Sequence, residues 1–272
     1  MSLNADAIRE HLGEAAANLE TLEVFAEIES TNSYLMQQAG PRVGNVRVAA
    51  TDNQTAGRGR RGRSWQSPAA SGLCLSLAYT FSSSPENLPA MTLAVGLGVV
   101  NALQERGIND VQLKWPNDLI ANDSKLGGIL TEAQARAEGA ITVVTGIGLN
   151  LDLSNHPELH LEETWAQRVI DLKSHAQGAP EKNILASSIV KQLCSLLPDY
   201  EAGGFAQFRN QWQQYDWLRG RSVTIETSKQ QITGIGTGIA DDGALLLDTG
   251  GAGIQRVTSG TVIRSEFVER VT

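Results

Sequence analysis

The segment Gly57-Arg-Gly-Arg-Arg-Gly-Arg63 strongly constrains the fold, because it suits neither an apolar core nor a regular helix. Its arginine guanidinium groups need water or an anion, and its glycines weaken helices and strands alike. Two strand-like apolar runs flank it, Val46 to Ala50 and Leu73 to Phe81. The segment is therefore predicted to be a flexible loop that joins two strands.

The charge of the whole chain narrows what this loop could bind. The 272 residues include 22 Lys plus Arg against 30 Asp plus Glu, a formal net charge of −8. Proteins that bind nucleic acid without specificity usually present a basic surface, so no DNA partner is expected. A loop that orders over one small phosphate or carboxylate fits the local positive charge, and a solvated basic loop without a ligand is the alternative.

The rest of the pattern predicts an α+β fold. Strand-like runs at 111–115, 128–132 and 140–149 are separated by short turns, which favours a mixed or antiparallel sheet with helices packed on it. Helical patterns occupy residues 5–20, 89–106, 183–197 and 201–215. After Trp217 the chain changes to short β-rich runs with glycines, which is typical of a small β-barrel of roughly 55 residues.

The glycine segment also matches the dinucleotide-binding pattern G-x-G-x-x-G, but the match is interpreted as a coincidence. Arginines fill the variable positions where the pyrophosphate would approach, and Ser64-Trp-Gln-Ser-Pro68 follows instead of a helix. A zinc site is disfavoured as well, because Pro157 separates His156 from His160 and no HExxH pair is present.

The compartment is predicted to be the cytoplasm. The first residues lack a basic stretch followed by an apolar one, and no apolar run is long enough to cross a bilayer, so no membrane partner is expected. Cys74 and Cys194 lie in apolar runs and are interpreted as small buried hydrophobic residues rather than as a disulfide.

Polar strings recur at the ends of the predicted elements. Ser30-Thr-Asn32 precedes a helical run, where a simple helix cap is the alternative to a binding role. Lys114-Trp-Pro-Asn-Asp118 gathers a cation, an amide and a carboxylate, although a β-turn would use the same residues. Lys125-Leu-Gly-Gly128 and Gly146-Ile-Gly-Leu-Asn150 add a further cation and amide beside glycines that let a ligand approach the backbone.

In this order and spacing the strings resemble the biotin protein ligases. The resemblance runs from about residue 22 to 217 and implies a catalytic fold like that of the class II synthetases, shared with the lipoate ligases. It assigns residues 1–217 to a catalytic domain, with 1–22 as a short helical extension, and residues 218–272 to an SH3-like domain. No winged-helix DNA-binding domain precedes the catalytic part in the sequence, so operator binding is not expected.

The resemblance implies a reaction in two steps. Biotin and ATP would form biotinyl-5′-adenylate, and a lysine of a biotin carboxyl carrier protein, the acetyl-CoA carboxylase subunit, would then take the biotin. The catalytic residues would be Lys125, Lys114 and Arg60. The biotin-binding residues would be Ser30, Thr31, Asn32, Gln54, Arg58, Gly59, Arg60 and Lys125. The nucleotide-binding residues would be Arg58, Arg61, Arg63, Trp65, Lys114, Asn117 and Asn150.

The resemblance also implies a metal site, and it leaves two alternative functions open. Asp118 and Asn150 would support Mg²⁺, which prefers oxygen ligands. A lipoate–protein ligase would share the architecture, but it is not expected to carry both the arginine-rich loop and the Lys-Trp-Pro-Asn-Asp string. A non-catalytic, biotin-responsive regulator would bind without turnover. The sequence does not decide the oligomeric state, and a homodimer stays open.

Overall fold

A computed structural model describes residues 2–156, 159, 169–176 and 180–267. The helices are α1 (Ala5–Glu10), α2 (Thr31–Gln37), α3 (Met91–Gln104), α4 (Leu172–His175), α5 (Lys182–Gly203) and α6 (Arg209–Trp212). The strands are β1 (Leu19–Phe25), β2 (Val46–Thr51), β3 (Gly72–Phe81), β4 (Gln112–Lys114), β5 (Asp118–Ala121), β6 (Ser124–Ala135), β7 (Ile141–Asn150), β8 (Arg221–Glu226), β9 (Gln231–Ile239), β10 (Leu245–Asp248), β11 (Ile254–Val257) and β12 (Thr261–Phe267).

The first seven strands form one mixed sheet in the order β1-β2-β3-β7-β6-β5-β4. The pair β1 and β2 is parallel, and the other neighbours are antiparallel. The central strand β3 is buried along its whole length, as expected for a strand covered on both faces. This sheet confirms the predicted α+β class.

The two faces of the sheet are covered differently. On one face α3 packs against α5, and both helices contact the sheet. Gly98 allows the close approach, because a Cβ there would lie 3.1 Å from Leu193 of α5. On the other face the short helix α2 places Leu35 against Ala78 and Val144. The rest of that face is left for a pocket.

The tail is an antiparallel sheet in the order β11-β10-β9-β8-β12, which confirms the predicted β-rich end. It is joined to the first sheet by side chains at the junction. Trp115 donates from Nε1 to the Gly243 carbonyl at 3.1 Å, and Asp123 accepts from Trp217 at 2.8 Å and from Arg221 at 2.6 Å. The two sheets therefore share an interface beside the hairpin of β4 and β5.

Three expectations from the sequence need correction. Residues 5–20 do not form one helix, because α1 ends at Glu10, a 3-10 helix covers Gly13–Asn18, and β1 begins at Leu19. Gly13 adopts φ +58, which breaks the helical path. In 201–215 the chain leaves α5 at Gly204, also at positive φ, and forms only short helical turns. The strand β5 was not predicted, since it has only four residues.

Among the described residues, none of the helices combines the length and the apolar character that a membrane span requires.

Candidate active site

One pocket gathers the predicted site residues. Its floor is a face of β3, β7 and β6, where directly paired residues point the same way. Cys74 pairs with Gly148, which pairs with Gly128, and Ser76 pairs with Gly146. The predicted residues that line this pocket are Ser30, Thr31, Asn32, Gln54, Arg58, Gly59, Arg60, Arg61, Arg63, Trp65, Lys114, Asn117, Asp118, Lys125 and Asn150.

The glycines of the floor leave room for two side chains, the ring of Trp65 and the amide of Asn32. A Cβ on Gly148 would lie 2.5 Å from the Trp65 ring, and a Cβ on Gly146 would overlap the Asn32 amide. Any side chain at these positions would displace a residue from the pocket wall. The sequence predicted glycines that admit a close approach, and here the approaching groups belong to the chain itself.

The segment 57–63 lies in the connection between β2 and β3, as predicted, and takes the shape of a hairpin there. Gly59 N donates to the Arg63 carbonyl at 2.7 Å, and Trp65 N donates to the Gly57 carbonyl at 2.9 Å. Arg61 forms the tip at φ 57, the left-handed region that non-glycine residues rarely adopt. Backbone hydrogen bonds therefore shape the glycine-rich segment into this hairpin.

Three arginines of the hairpin reach three different parts of the fold. Arg58 contacts the Glu132 carboxylate of β6 at 2.5 Å, and Arg60 donates to Asn117 Oδ1 at 3.2 Å. Arg61 donates to Thr261 Oγ1 of the tail at 2.8 Å. The hairpin thus covers the pocket and spans from the first sheet to the tail.

One end of the pocket is uncharged and buried, apart from the Glu132 carboxylate at its edge. Ser30 caps α2 by accepting from Ser33 N at 3.3 Å, which confirms the helix-cap interpretation for that residue. Gln54 Oε1 accepts from the Thr31 N–H at 2.9 Å. Thr31 Oγ1 lies 2.7 Å from Ser76 Oγ, and Ser76 donates to Asn32 Oδ1 at 2.7 Å. The strings around residues 30 and 54 are therefore brought together.

The other end carries three buried charges. Asp118 Oδ2 lies 2.6 Å from Lys114 Nζ, and Asp118 Oδ1 lies 3.0 Å from Lys125 Nζ. The register explains the cluster, because Lys114 pairs with Asp118 across the β4–β5 hairpin and Lys125 follows on β6. Although burial opposes the charged form, the two ammonium groups lower the pKa of Asp118 from 3.8 to about 2. The cluster carries a net charge of +1.

The amides at this end have structural partners. Asn117 N donates to the Lys114 carbonyl at 3.1 Å, which confirms the β-turn interpretation of the Lys-Trp-Pro-Asn-Asp string. Asn117 Nδ2 donates to the Ile129 carbonyl at 3.0 Å, and Asn150 Nδ2 donates to the Ile170 carbonyl at 3.1 Å. The amides therefore tie the β4–β5 turn to β6 and the end of β7 to Ile170.

The geometry of the lysine end offers little support for a protein-bound metal ion. Within the described parts of the chain no three His, Cys, Asp or Glu side chains gather as a metal site. Asp118, expected to support Mg²⁺, instead faces two lysines. His156 belongs to the described residues, whereas His160 lies outside them.

Sequence reasoning missed several residues of the pocket. Ser76 and Glu132 contact the predicted residues Asn32 and Arg58, and Gly260 to Val262 of the tail line the same pocket. Cys74, predicted as a buried hydrophobic residue, lies in the floor, and burial raises the pKa of its thiol to about 11. The period-2 pattern of β3 and β6 could have placed Ser76 and Glu132 beside the predicted residues.

Comparison with known families gives two matches. The family model described as "Biotin/lipoate A/B protein ligase family" matches residues 24–150, and "Biotin protein ligase C terminal domain" matches residues 219–265. Among similar proteins, the biotin--[acetyl-CoA-carboxylase] ligase of Mycobacterium tuberculosis is 32% identical over 96% of this chain and 95% of its own length. The bifunctional ligase/repressor BirA of Escherichia coli is 33% identical over 85% of this chain and 70% of its own.

Solved structures agree with these matches. The biotin protein ligase from Aquifex aeolicus in complex with biotin and ATP superposes with a TM-score of 0.72 at 25% identity, covering 89% of this chain and 97% of that one. Its R40G mutant in complex with biotin gives a TM-score of 0.74 at 26% identity, covering 90% and 99%.

Proposed function

Because this chain belongs to the biotin protein ligase family, we propose that it joins biotin to a lysine of a biotin carboxyl carrier protein at the expense of ATP. The observation that carries the proposal is the two-ended pocket. A buried hydrogen-bonding end and a buried lysine end lie in one cavity, under one arginine hairpin. Biotin has the same division, with a neutral ureido ring at one end and a carboxylate at the other.

The uncharged end suits the ureido ring. That ring carries one carbonyl acceptor and two N–H donors, and the buried Ser30, Thr31 and Asn32 together with the half-buried Gln54 offer both kinds of partner. A site built from buried polar groups discriminates strongly, because a ligand that lacks the matching groups leaves them unpaired. We assign these four residues to biotin, with Arg58 and Gly59 of the hairpin above them.

The lysine end suits the activation step. A carboxylate oxygen of biotin would attack the α-phosphorus of ATP, and the bond from that phosphorus to the pyrophosphate oxygen would break. Both reactants are anions, so cations fixed at their meeting point lower the barrier. Lys125 and Lys114 are held there by Asp118, and Arg60 adds a third cation from the hairpin.

The second step needs positioning more than acid–base chemistry. The carrier lysine amine would attack the acyl carbon of the mixed anhydride, AMP would leave with the electron pair, and the amine would lose a proton. The anhydride is already activated, so the site must mainly orient the amine and exclude water. The hairpin at 57–63 covers the pocket as such a shield requires.

The nucleotide is assigned to the hairpin side of the lysines. Arg61, Arg63, Trp65, Asn117 and Asn150 line that part of the pocket and would contact the adenine, ribose or phosphates. The proposal covers residues 1–217 as the catalytic part and 218–272 as the tail domain, and it places the reaction in the ATP-containing cytoplasm.

The chain's own groups fit a resident Mg²⁺ poorly. The Asp118 carboxylate is engaged by two ammonium groups, and Asn150 can offer a single amide oxygen. Mg²⁺ bound to the ATP phosphates would supply charge neutralisation.

The test is pyrophosphate exchange with the unmodified chain. Incubation with Mg²⁺, ATP and biotin should move label from pyrophosphate into ATP, and lipoate in place of biotin should not. Adding a biotin carboxyl carrier domain should give a biotinylated lysine, read by mass spectrometry. Exchange with lipoate alone would favour a lipoate ligase, and biotin binding without exchange would favour a regulator.

A further inference from the structure

Glu132 is a charged residue at the edge of the uncharged end of the pocket. It lies on β6, and its Oε2 accepts from Asn32 Nδ2 at 3.0 Å and from Arg58 at 2.5 Å. The same carboxylate oxygen therefore contacts the head of α2 and the arginine hairpin. Neither the lysine cluster nor the predicted ligand contacts include this residue.

Glu132 closes a chain of hydrogen bonds that starts and ends beside the hairpin. The chain runs from Gln54 to Thr31, then to Ser76, Asn32, Glu132 and Arg58. Ser76 donates its one hydroxyl proton to Asn32 Oδ1. The Thr31 hydroxyl lies 2.7 Å from Ser76 Oγ and donates to Gln54 Oε1 at 3.2 Å, so the links with a fixed direction are those from Ser76 to Asn32 and from Asn32 to Glu132.

The carboxylate sets this direction. An amide such as that of Asn32 fits its site in two orientations that differ by exchange of Nδ2 and Oδ1. With Nδ2 toward Glu132 the amide donates to a carboxylate and to the Leu130 carbonyl at 3.3 Å. The reverse orientation would place Oδ1 against the negative charge and turn a donor toward Ser76. Together with the Leu130 carbonyl, Glu132 thus fixes which atoms of Asn32 and Ser76 are donors.

The ion pair between Glu132 and Arg58 is partly exposed to solvent. The side chain of Arg58 is 43% exposed and that of Glu132 is 26% exposed, and pairs exposed to this extent contribute little to stability. Breaking the ion pair between Arg58 and Glu132 to admit a ligand therefore costs little free energy. Once the pocket is filled, the same ion pair favours the closed position of the hairpin.

We propose that Glu132 is a positioning residue for biotin, which fixes the donor and acceptor order of the ureido subsite and fastens the hairpin over it through Arg58. The inference rests on the proposed function. It goes further in giving a role to a carboxylate that is not expected to touch the ligand's reacting atoms.

The experiment is a comparison of Glu132→Gln with the unmodified chain. Gln keeps the size of the side chain and removes the charge. The biotin Kd from calorimetry and the KM for biotin in pyrophosphate exchange should both rise about tenfold, equivalent to ~1.4 kcal/mol. The KM for ATP should change less than twofold. Desthiobiotin, which keeps the ureido ring, should weaken by the same factor as biotin.

Asp242→Asn is the matched control. Asp242 contacts Arg256 at 2.5 Å, and their side chains are 30% and 56% exposed. The control variant therefore loses an ion pair that is comparable to the one between Glu132 and Arg58 but lies outside the pocket. Both variants should keep the same melting temperature within 2 °C, and the control should bind biotin as the unmodified chain does. A second variant, Glu132→Asp, keeps the charge on a shorter side chain and should weaken biotin less than Glu132→Gln.

The outcomes separate the two proposals. If the unmodified chain binds no biotin, the proposed function fails and this inference fails with it. If the unmodified chain binds biotin but Glu132→Gln stays within twofold, the inference alone is overturned. Equal increases in the KM for biotin and for ATP, or a lowered melting temperature, would show a merely structural role and overturn it as well.

Discussion

Asp118→Asn tests whether the buried charge cluster stabilises the fold as its geometry requires. Asp118 is 4% exposed and lies between Lys114 and Lys125. Its pKa is about 2 in the fold against 3.8 as the reference, and each pKa unit corresponds to ~1.36 kcal/mol, so the charge contributes about 2 kcal/mol. The variant also removes the negative charge that both ammonium groups contact. A loss of ~3 kcal/mol at pH 7 is expected, at the low end for a broken buried pair.

The pH dependence has a definite sign. Because the pKa is lowered by folding, the stabilisation is present above pH 3.8 and is lost as the pH falls through about 2. The difference in unfolding free energy between the unmodified chain and the variant should therefore be largest at pH 7. About half of the linkage contribution should be gone by pH 3. Urea titration followed by circular dichroism at both pH values measures it.

Asp152→Asn is the control for this prediction. Hydrogen bonds from Lys173 and Ser154 likewise lower the pKa of Asp152 to about 2, but the side chains of Lys173 and Asp152 are 51% and 34% exposed. Solvent screens that pair, so its loss should cost ~0–1 kcal/mol. A loss below ~1 kcal/mol for Asp118→Asn at pH 7, or a loss that does not change with pH, would refute the reasoning.

Three further substitutions probe other parts of the molecule. Lys125→Ala should lower biotin-dependent pyrophosphate exchange ~100-fold or more while circular dichroism shows a retained fold; unchanged exchange would remove Lys125 from the catalytic residues. Arg60→Gly should release adenylate about tenfold faster in a filter assay, because the contact to Asn117 is lost, and an unaltered release rate would count against the hairpin as a shield. Burial raises the pKa of Asp216 to about 7, so folding favours its neutral form and stability should fall as the pH rises from about 4 to 7. Asp216→Asn should flatten the change in melting temperature between pH 5 and pH 8, and an equally steep change would contradict the assignment.

Much of the fold could be predicted from local pattern. The strands around the hairpin and the helix at 91–104 follow from apolar periodicity bounded by glycine, and the structure has them within one or two residues of the prediction. The errors fall where local pattern competes with tertiary packing. The predicted helix at 5–20 runs into β1, which begins at Leu19 and pairs with β2, and an edge strand gains those hydrogen bonds from a partner distant in the chain.

The site divides in the same way. Motif strings identified fifteen residues, and all of them line one pocket. The fold differs from the strings taken one by one in two ways, because backbone hydrogen bonds shape residues 57–63 into a hairpin and the Asp118 carboxylate lies between two lysines. Those differences arise from contacts between strings, such as Arg58 with Glu132, that no single string contains.

By itself the sequence determined which chemical groups are present: an arginine-rich loop, two lysines, and amides and hydroxyls at the ends of elements. The tertiary structure alone decided which group faces which. Register across β4, β5 and β6 placed Asp118 between two lysines, and packing of α2 on β3 placed Asn32 beside Ser76. Hydrogen bonds and ion pairs act over about 3 Å, so their partners are fixed by packing rather than by spacing along the chain.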